Sequence, residues 1–232
     1  FVDAAIAIQN PDDPKRPPNS PKWVYQVEPS ALELFRTFGT SEWQKSLETF
    51  LASVETLREK YAQKRETERI PVKFNNDVEI TLSPGGQNDL IKEIIDQFCP
   101  RFVPSGQVIY IGDTDEKWLY FDKDKLQELG VIVESHGKMP DVITYHTEKD
   151  WLLLIEAVTS HGPINPKRLN ELSRLFQKSS AGLVYVTAFL TRKAMLEYFR
   201  EIAWETEVWV AESPEHLIHF DGKRFLEKKK KD

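Results

Sequence analysis

The spacing of hydrophobic and polar positions changes several times along the chain, and each change marks an element. Trp23 to Val27 alternates, the period of a short strand. From Ser30 the spacing turns helical: Leu32 and Phe35, then Trp43, Leu47, Phe50, Leu51, Val54, Leu57 and Tyr61. Gly39 divides that run into two helices, and Ser41 suits the N-cap of the second. A further helix is predicted over 88–98, with Leu90, Ile91, Ile94, Ile95 and Phe98 on one face. Val108 to Ile111 reads as a buried strand ending at Gly112, and Asp124 to Leu129 as a short helix stopped by Gly130. Pro140 to His146 and Trp151 to Val158 are predicted strands. Pro166 to Lys178 is a predicted helix, with Asn165 as N-cap and proline at its first position. Leu183 to Val186 is a strand, 193–202 a helix, and 207–211 and 217–225 are late strands. This alternation predicts an α/β fold, a mixed β-sheet flanked by helices and preceded by a small helical segment.

Two regions fall outside the periodic elements. Residues 10–21 hold five of the 14 prolines and read as a loop or linker. Residues 58–69 are dense in charge and read as solvated. A division follows, with 1–69 as a helical remnant plus connecting helix and 70–232 as the main domain. The chain opens on Phe1 rather than Met, which reads as a fragment lacking upstream residues.

Composition narrows the class. With 232 residues and 40% hydrophobic positions the chain can build one sizeable core. Its single cysteine, Cys99, cannot form an internal disulfide. The apolar run Trp151 to Ile155 is far too short to span a bilayer, so no membrane partner is expected and a cytoplasmic location is the default. A formal net charge of -6 argues against bulk nucleic-acid binding, although a local basic groove is compatible with it.

Candidate chemistry lies in the two strands around Thr147 to Asp150. If those four residues form a hairpin loop, His146 faces Trp151, and counting outward brings Asp141 opposite Glu156 on one sheet face. Like charges so placed repel, and the flanking residues are apolar. A hard divalent cation with oxygen ligands, typically Mg²⁺, would compensate them. The same spacing also fits an acid pair on an exposed sheet edge, with one carboxyl protonated or paired to an arginine. A one-residue slip would separate the two acids onto opposite faces.

Several long strings carry a resemblance. They are Gly137 to Asp141, Trp151 to Pro163 with Lys167 and Arg168, Tyr110 to Thr114 with Lys117, Ile202 to Trp209, and His216 to Gly222. Together, over residues 72–227, they resemble the BsuBI/PstI restriction endonuclease family. The resemblance implies a PD-(D/E)xK nuclease fold and Mg²⁺-dependent cleavage of double-stranded DNA as a Type II enzyme. The target would be at or near the palindrome CTGCAG, within a restriction–modification system. It further implies that residues 1–69 correspond to the last part of an N-terminal winged-helix domain. A palindromic target suits a homodimer.

Pro140-Asp141 and Glu156 match the first two elements of the family pattern, but its lysine would stand at position 158, where this chain has Val158. The missing positive charge is expected from Lys117, Lys138 or Lys167. Val158 also keeps open a different class, a non-catalytic DNA-binding or regulatory protein on the same scaffold. Lys167 and Arg168 in a first helical turn oppose the helix dipole unless an anion is present, so both are candidates for DNA phosphate contacts. His161, before Gly162-Pro163, could reach a phosphate or fix its loop. Glu93 and Asp113 are further acids at element faces or ends. His216 and His219 fall on opposite faces of a strand and read as structural.

Overall fold

The computed structural model describes residues 1–221 apart from 3, 14, 15, 17–19, 68, 114–117, 134–137 and 160, with the backbone alone at 55 and 58–67. Lys117 therefore lies outside the described residues.

The hairpin that organises the fold is the one around 147–150. Val142–His146 (β7) and Trp151–Val158 (β8) pair antiparallel, with His146 facing Trp151 and Val142 facing Ile155. Their β-branched and leucine residues are buried on both faces, as interior strands of a covered sheet require. Glu156 follows the same register and lies beside Thr187 of Gly182–Phe189 (β9), which runs parallel to β8. Parallel neighbours need a crossover, and Pro166–Leu175 (α6) supplies it. The Asn165 side chain caps this helix by accepting from the Arg168 backbone N–H, as the Asn-Pro order predicts.

Gln107–Ile111 (β5) and Tyr120–Phe121 (β6) extend the sheet on the β7 side, and Glu207–Val210 (β10) and Leu217–His219 (β11) on the β9 side. The order among the described residues is β11-β10-β9-β8-β7-β5-β6, seven strands of mixed direction. Both β7 and β8 are interior, so the exposed-edge alternative for the acid pair does not hold.

Two apolar layers sandwich this sheet. On one side Gly86–Glu93 (α3) continues into a π-turn, Ile94–Phe98, and then Cys99–Phe102 (α4). Leu90, Ile91, Ile94 and Phe98 of this layer pack with Ile155 and Trp209. Each such fully buried side chain contributes about 1.5–3 kcal/mol. The helix expected over 88–98 is thus present but widened to a π-turn over its last five residues. Pro100 has no N–H, and the Cys99 N–H binds the Ile94 carbonyl instead, the wider π spacing. On the other side α6 and Lys123–Glu128 (α5) place Leu172, Phe176 and Leu126 over Ile143, Leu152 and Leu154. Arg192–Tyr198 (α7) covers the end of that face, where Val158 packs with Phe189, Met195, Val208 and Val210.

Ile70–Phe74 (β3) and Val78–Leu82 (β4) form a separate hairpin to which the sequence reading assigned no element. Asn75 and Asn76 in its loop take φ of 47° and 68°, a left-handed backbone that asparagine tolerates. Ahead of it, Ala7–Gln9 (β1) pairs with Tyr25–Val27 (β2), followed by Pro29–Arg36 (α1) and Trp43–Thr67 (α2). The proline-rich stretch is the connection between β1 and β2. Ala31, Leu34 and Phe50 make a small core between α1 and α2. Glu28 rather than a serine caps α1, accepting from the Ser30 and Ala31 N–H groups.

Candidate active site

Asp141 immediately precedes β7, and the β7–β8 register continued by one residue sets it opposite Glu156. Its backbone is fixed by β5, since the Gly112 N–H donates to the Asp141 carbonyl at 2.9 Å. Its carboxylate is fixed twice. Oδ1 accepts from Gln87 Nε2 at 2.8 Å, and Oδ2 accepts from the Ala157 N–H at 2.7 Å. Gln87 comes from the first turn of α3, and a second network anchors that turn. Asp113 accepts from the Ser83 hydroxyl at 2.7 Å and from the Asn88 amide. Asn88 also donates to the Ser83 carbonyl at 2.8 Å. Asp113 thus serves to brace the start of α3.

Glu156 sits on the same face, its side chain 16% exposed. Arg168, from the first turn of α6, reaches it with two donors: Nε at 2.8 Å and Nη2 at 2.5 Å, both to Oε1. The same guanidinium donates from Nη1 to the Lys138 carbonyl at 3.1 Å and from Nη2 to the Met139 carbonyl at 3.0 Å. Arg168 was expected to face DNA phosphate. In the structure it turns inward, onto the Glu156 carboxyl and the two carbonyls.

The electrostatics follow from this crowding. Burial, then the facing Asp141 carboxylate, push Glu156 up to about 8, against the opposing pull of Arg168. Burial likewise raises Asp141, opposed by its bonds from Ala157 and Gln87 and by the Arg168 charge. Tyr110 on β5 is pushed up by burial and by both carboxylates, so its phenol stays neutral beside them.

Position 158 explains the departure from the usual pattern. Val158 is 3% exposed and packed beneath α7, so no lysine could stand there without burying its charge in an apolar cluster. Lys138 is exposed and lies beside Asp141 along the chain; its carbonyl, rather than its ammonium, is what the structure ties to Arg168. Lys167 is 86% exposed at the start of α6, with Nζ 4.0 Å from Glu171. His161 is exposed in the loop before that helix. His219 pairs with Glu207 across β10 and β11, away from His216.

A family model described as the BsuBI/PstI restriction endonuclease domain matches residues 70–223, and one described as the HTH domain of the same family matches residues 1–59. The chain belongs to the BsuBI/PstI restriction endonuclease family. Membership of that family makes it a site-specific endonuclease. It is 56% identical over 226 residues to the Type II restriction enzyme BsuBI of Bacillus subtilis, covering 97% of this chain and 72% of that one. It is 35% identical over 234 residues to the Type II restriction enzyme AplI of Arthrospira platensis, covering 97% and 71%. Among solved structures it resembles the SdaI restriction endonuclease, with a TM-score of 0.66 at 40% identity over 99% of this chain and 72% of that one. Among the described residues no helix is long and apolar enough to cross a membrane.

The residues present suit a divalent cation. Two carboxylates face each other in a largely buried setting, and both are pushed toward protonation by burial, the electrostatic signature of a place short of positive charge. Both donors are hard oxygens, the ligand type that Mg²⁺ takes. Among the described residues no third histidine, cysteine or acidic side chain joins them. Sequence reasoning missed Gln87, which no periodicity marks, and did not foresee the bonds from Arg168 to Glu156.

Proposed function

We propose that this chain hydrolyses both strands of a CTGCAG-like palindrome in an Mg²⁺-dependent reaction, as a homodimer, within a bacterial restriction–modification system in the cytoplasm. On this reading residues 70–232 are the catalytic unit and residues 1–69 the end of a winged-helix domain. The observation that carries it is the Asp141–Glu156 pair, brought face to face by the strand register. These two carboxylates would hold the ion, which when bound supplies activation of water and neutralisation of charge at the phosphate. The protein contributes orientation. Gln87 and the Ala157 N–H fix the Asp141 carboxylate, and Arg168 fixes that of Glu156. Lys138 and Lys117 are the candidates for direct contact with the scissile phosphate. Lys167 and His161 would meet flanking phosphates, a role their exposure around the α6 N-terminus supports.

Asp141→Asn tests the reading. Plasmid cleavage in Mg²⁺ is expected to disappear, while DNA binding stays intact or tightens because a repulsion with phosphate is removed. Cleavage within about tenfold of wild type would remove Asp141 from the metal site, given the 10–100-fold losses common for outer partners alone.

A further inference from the structure

The guanidinium of Arg168 is engaged almost entirely within the protein. An arginine has five N–H donors. Here Nε and one Nη2 hydrogen go to Glu156, the second Nη2 hydrogen to the Met139 carbonyl, and one Nη1 hydrogen to the Lys138 carbonyl. The remaining Nη1 hydrogen has Glu171 Oε2 at 3.5 Å. Four of the five donors are thus engaged within the protein, the fifth lies toward Glu171, and the side chain is only 17% exposed. The partners matter as much as their number. Glu156 belongs to β8, whereas Lys138 and Met139 are the residues that lead through Pro140 into Asp141. One rigid planar group therefore spans the two chain segments that carry the acid pair.

We propose that Arg168 is a positioning residue that brackets Glu156 to the Lys138–Met139 segment, so that the two carboxylates stand ready to receive a divalent ion together. This rests on the metal-site reading above. The usual place for a positive charge, two residues beyond Glu156 on β8, is closed by the packing of Val158 under α7. The positive charge comes instead from the crossover helix, and it comes as a fork rather than as a point. A fork can hold a carboxylate and two carbonyls in one plane; an ammonium cannot.

The anchoring of α6 fits this role. The Ile164 N–H donates to the Thr187 hydroxyl at 3.2 Å, the Ala203 N–H donates to the Ile164 carbonyl at 2.9 Å, and the Asn165 side chain caps the helix. The first turn of α6, and with it the root of Arg168, is tied to β9 immediately beside Glu156. Without the guanidinium an incoming ion would have to order both acids itself.

The test is Mn²⁺ binding to this chain, followed by the electron paramagnetic resonance signal of the free ion, for wild type, Arg168→Lys, Arg168→Met and Asp141→Asn. Thermal melting identifies which variants are folded. The bracket predicts Mn²⁺ affinity 10–100-fold weaker in both Arg168 variants, the range typical when a partner that orients a metal ligand is lost. Arg168→Lys keeps the charge and serves as the informative variant if Arg168→Met does not fold. In cleavage assays kcat should fall while KM for DNA stays unchanged, because the guanidinium does not face phosphate. Wild-type or tighter Mn²⁺ affinity in Arg168→Lys, with affinity lost in Asp141→Asn, overturns the bracket alone. Wild-type affinity in every variant overturns the metal-site reading along with it. A raised KM with unchanged kcat would make Arg168 a phosphate contact and also overturns the bracket.

Discussion

Removing the divalent ion should leave a protein that loses stability as pH rises through neutrality. Glu156 is held up at about 8, against an ordinary value of 4.5, chiefly by burial and by the facing Asp141. A carboxyl raised on folding keeps a proton that the unfolded chain has already released. Stability is then complete below the unfolded value, declines between about 4.5 and 8, and levels off above that. One retained proton gives a slope of about 1.4 kcal/mol per pH unit, and the window is a few units wide. For a chain of this length each kcal/mol moves Tm by roughly 2–4 °C. A fall of several degrees is therefore expected between pH 5.5 and 8.5 in EDTA. The assay is thermal unfolding of wild type and Glu156→Gln across that range, with and without Mg²⁺. Taking the difference between the two proteins cancels the titrating groups remote from the acid pair, leaving Glu156 and the Asp141 coupled to it. Glu156→Gln should lack the slope, and Mg²⁺ should flatten it in wild type, because the ion expels the proton and takes its place. A wild-type curve parallel to that of Glu156→Gln in EDTA would refute the reasoning.

Further outcomes follow from the packing around the pair. Val158→Lys should not restore the usual pattern but destabilise the fold by about 3–5 kcal/mol, since the ammonium would be buried among Phe189, Met195 and Val208; a Tm within a degree or two of wild type would show that α7 yields there. Gln87→Ala should weaken cleavage and Mg²⁺ affinity about 10–100-fold while leaving DNA binding unchanged, because the side-chain amide that holds Asp141 Oδ1 is lost; parallel losses in DNA binding would argue for a direct DNA role instead. Lys138→Ala, Lys117→Ala and Lys167→Ala, assayed separately, should single out the lysine that meets the scissile phosphate by a drop of about 10²–10³ in kcat. Near wild-type rates in all three would mean that no lysine serves the site.

The hairpin register was legible because loop length and alternating burial both constrain it. Residues 147–150 gave the turn, and only one pairing buries Leu152 and Leu154 with Ile143. The cap and proline at Asn165-Pro166 located α6 for the same local reason. What the sequence could not show was where long side chains go. Arg168 at a helix start reads as an anion binder; in the structure its guanidinium meets the Glu156 carboxyl, twelve residues earlier and reached only after the crossover folds back. Gln87 is a similar case, joined to Asp141 across the sheet layer with no local signal. The β3–β4 hairpin was missed although Asn75-Asn76 between alternating runs carries a turn signature, and the π-turn was hidden because Pro100 sits beyond the apolar stripe it distorts.

The contacts around Glu156 have an implication for how the enzyme folds. Asp141, Ala157, Arg168 and the Lys138 and Met139 carbonyls all belong to one stretch, residues 138–168, while Gln87, Gly112 and Tyr110 are brought in from farther along the chain. The tight β7–β8 turn and the Arg168–Glu156 contact are short-range and close with little loss of chain entropy, whereas the pairing of β5 with β7 encloses a longer loop. The acid pair should therefore be assembled by a self-contained β–β–α nucleus before the rest of the sheet zips on either side. Hydrogen exchange during refolding should protect the amides of β7 and β8 before those of β5 and β10. A segment that matures in this way can also be carried through evolutionary changes in the flanking strands, because its geometry does not wait on them.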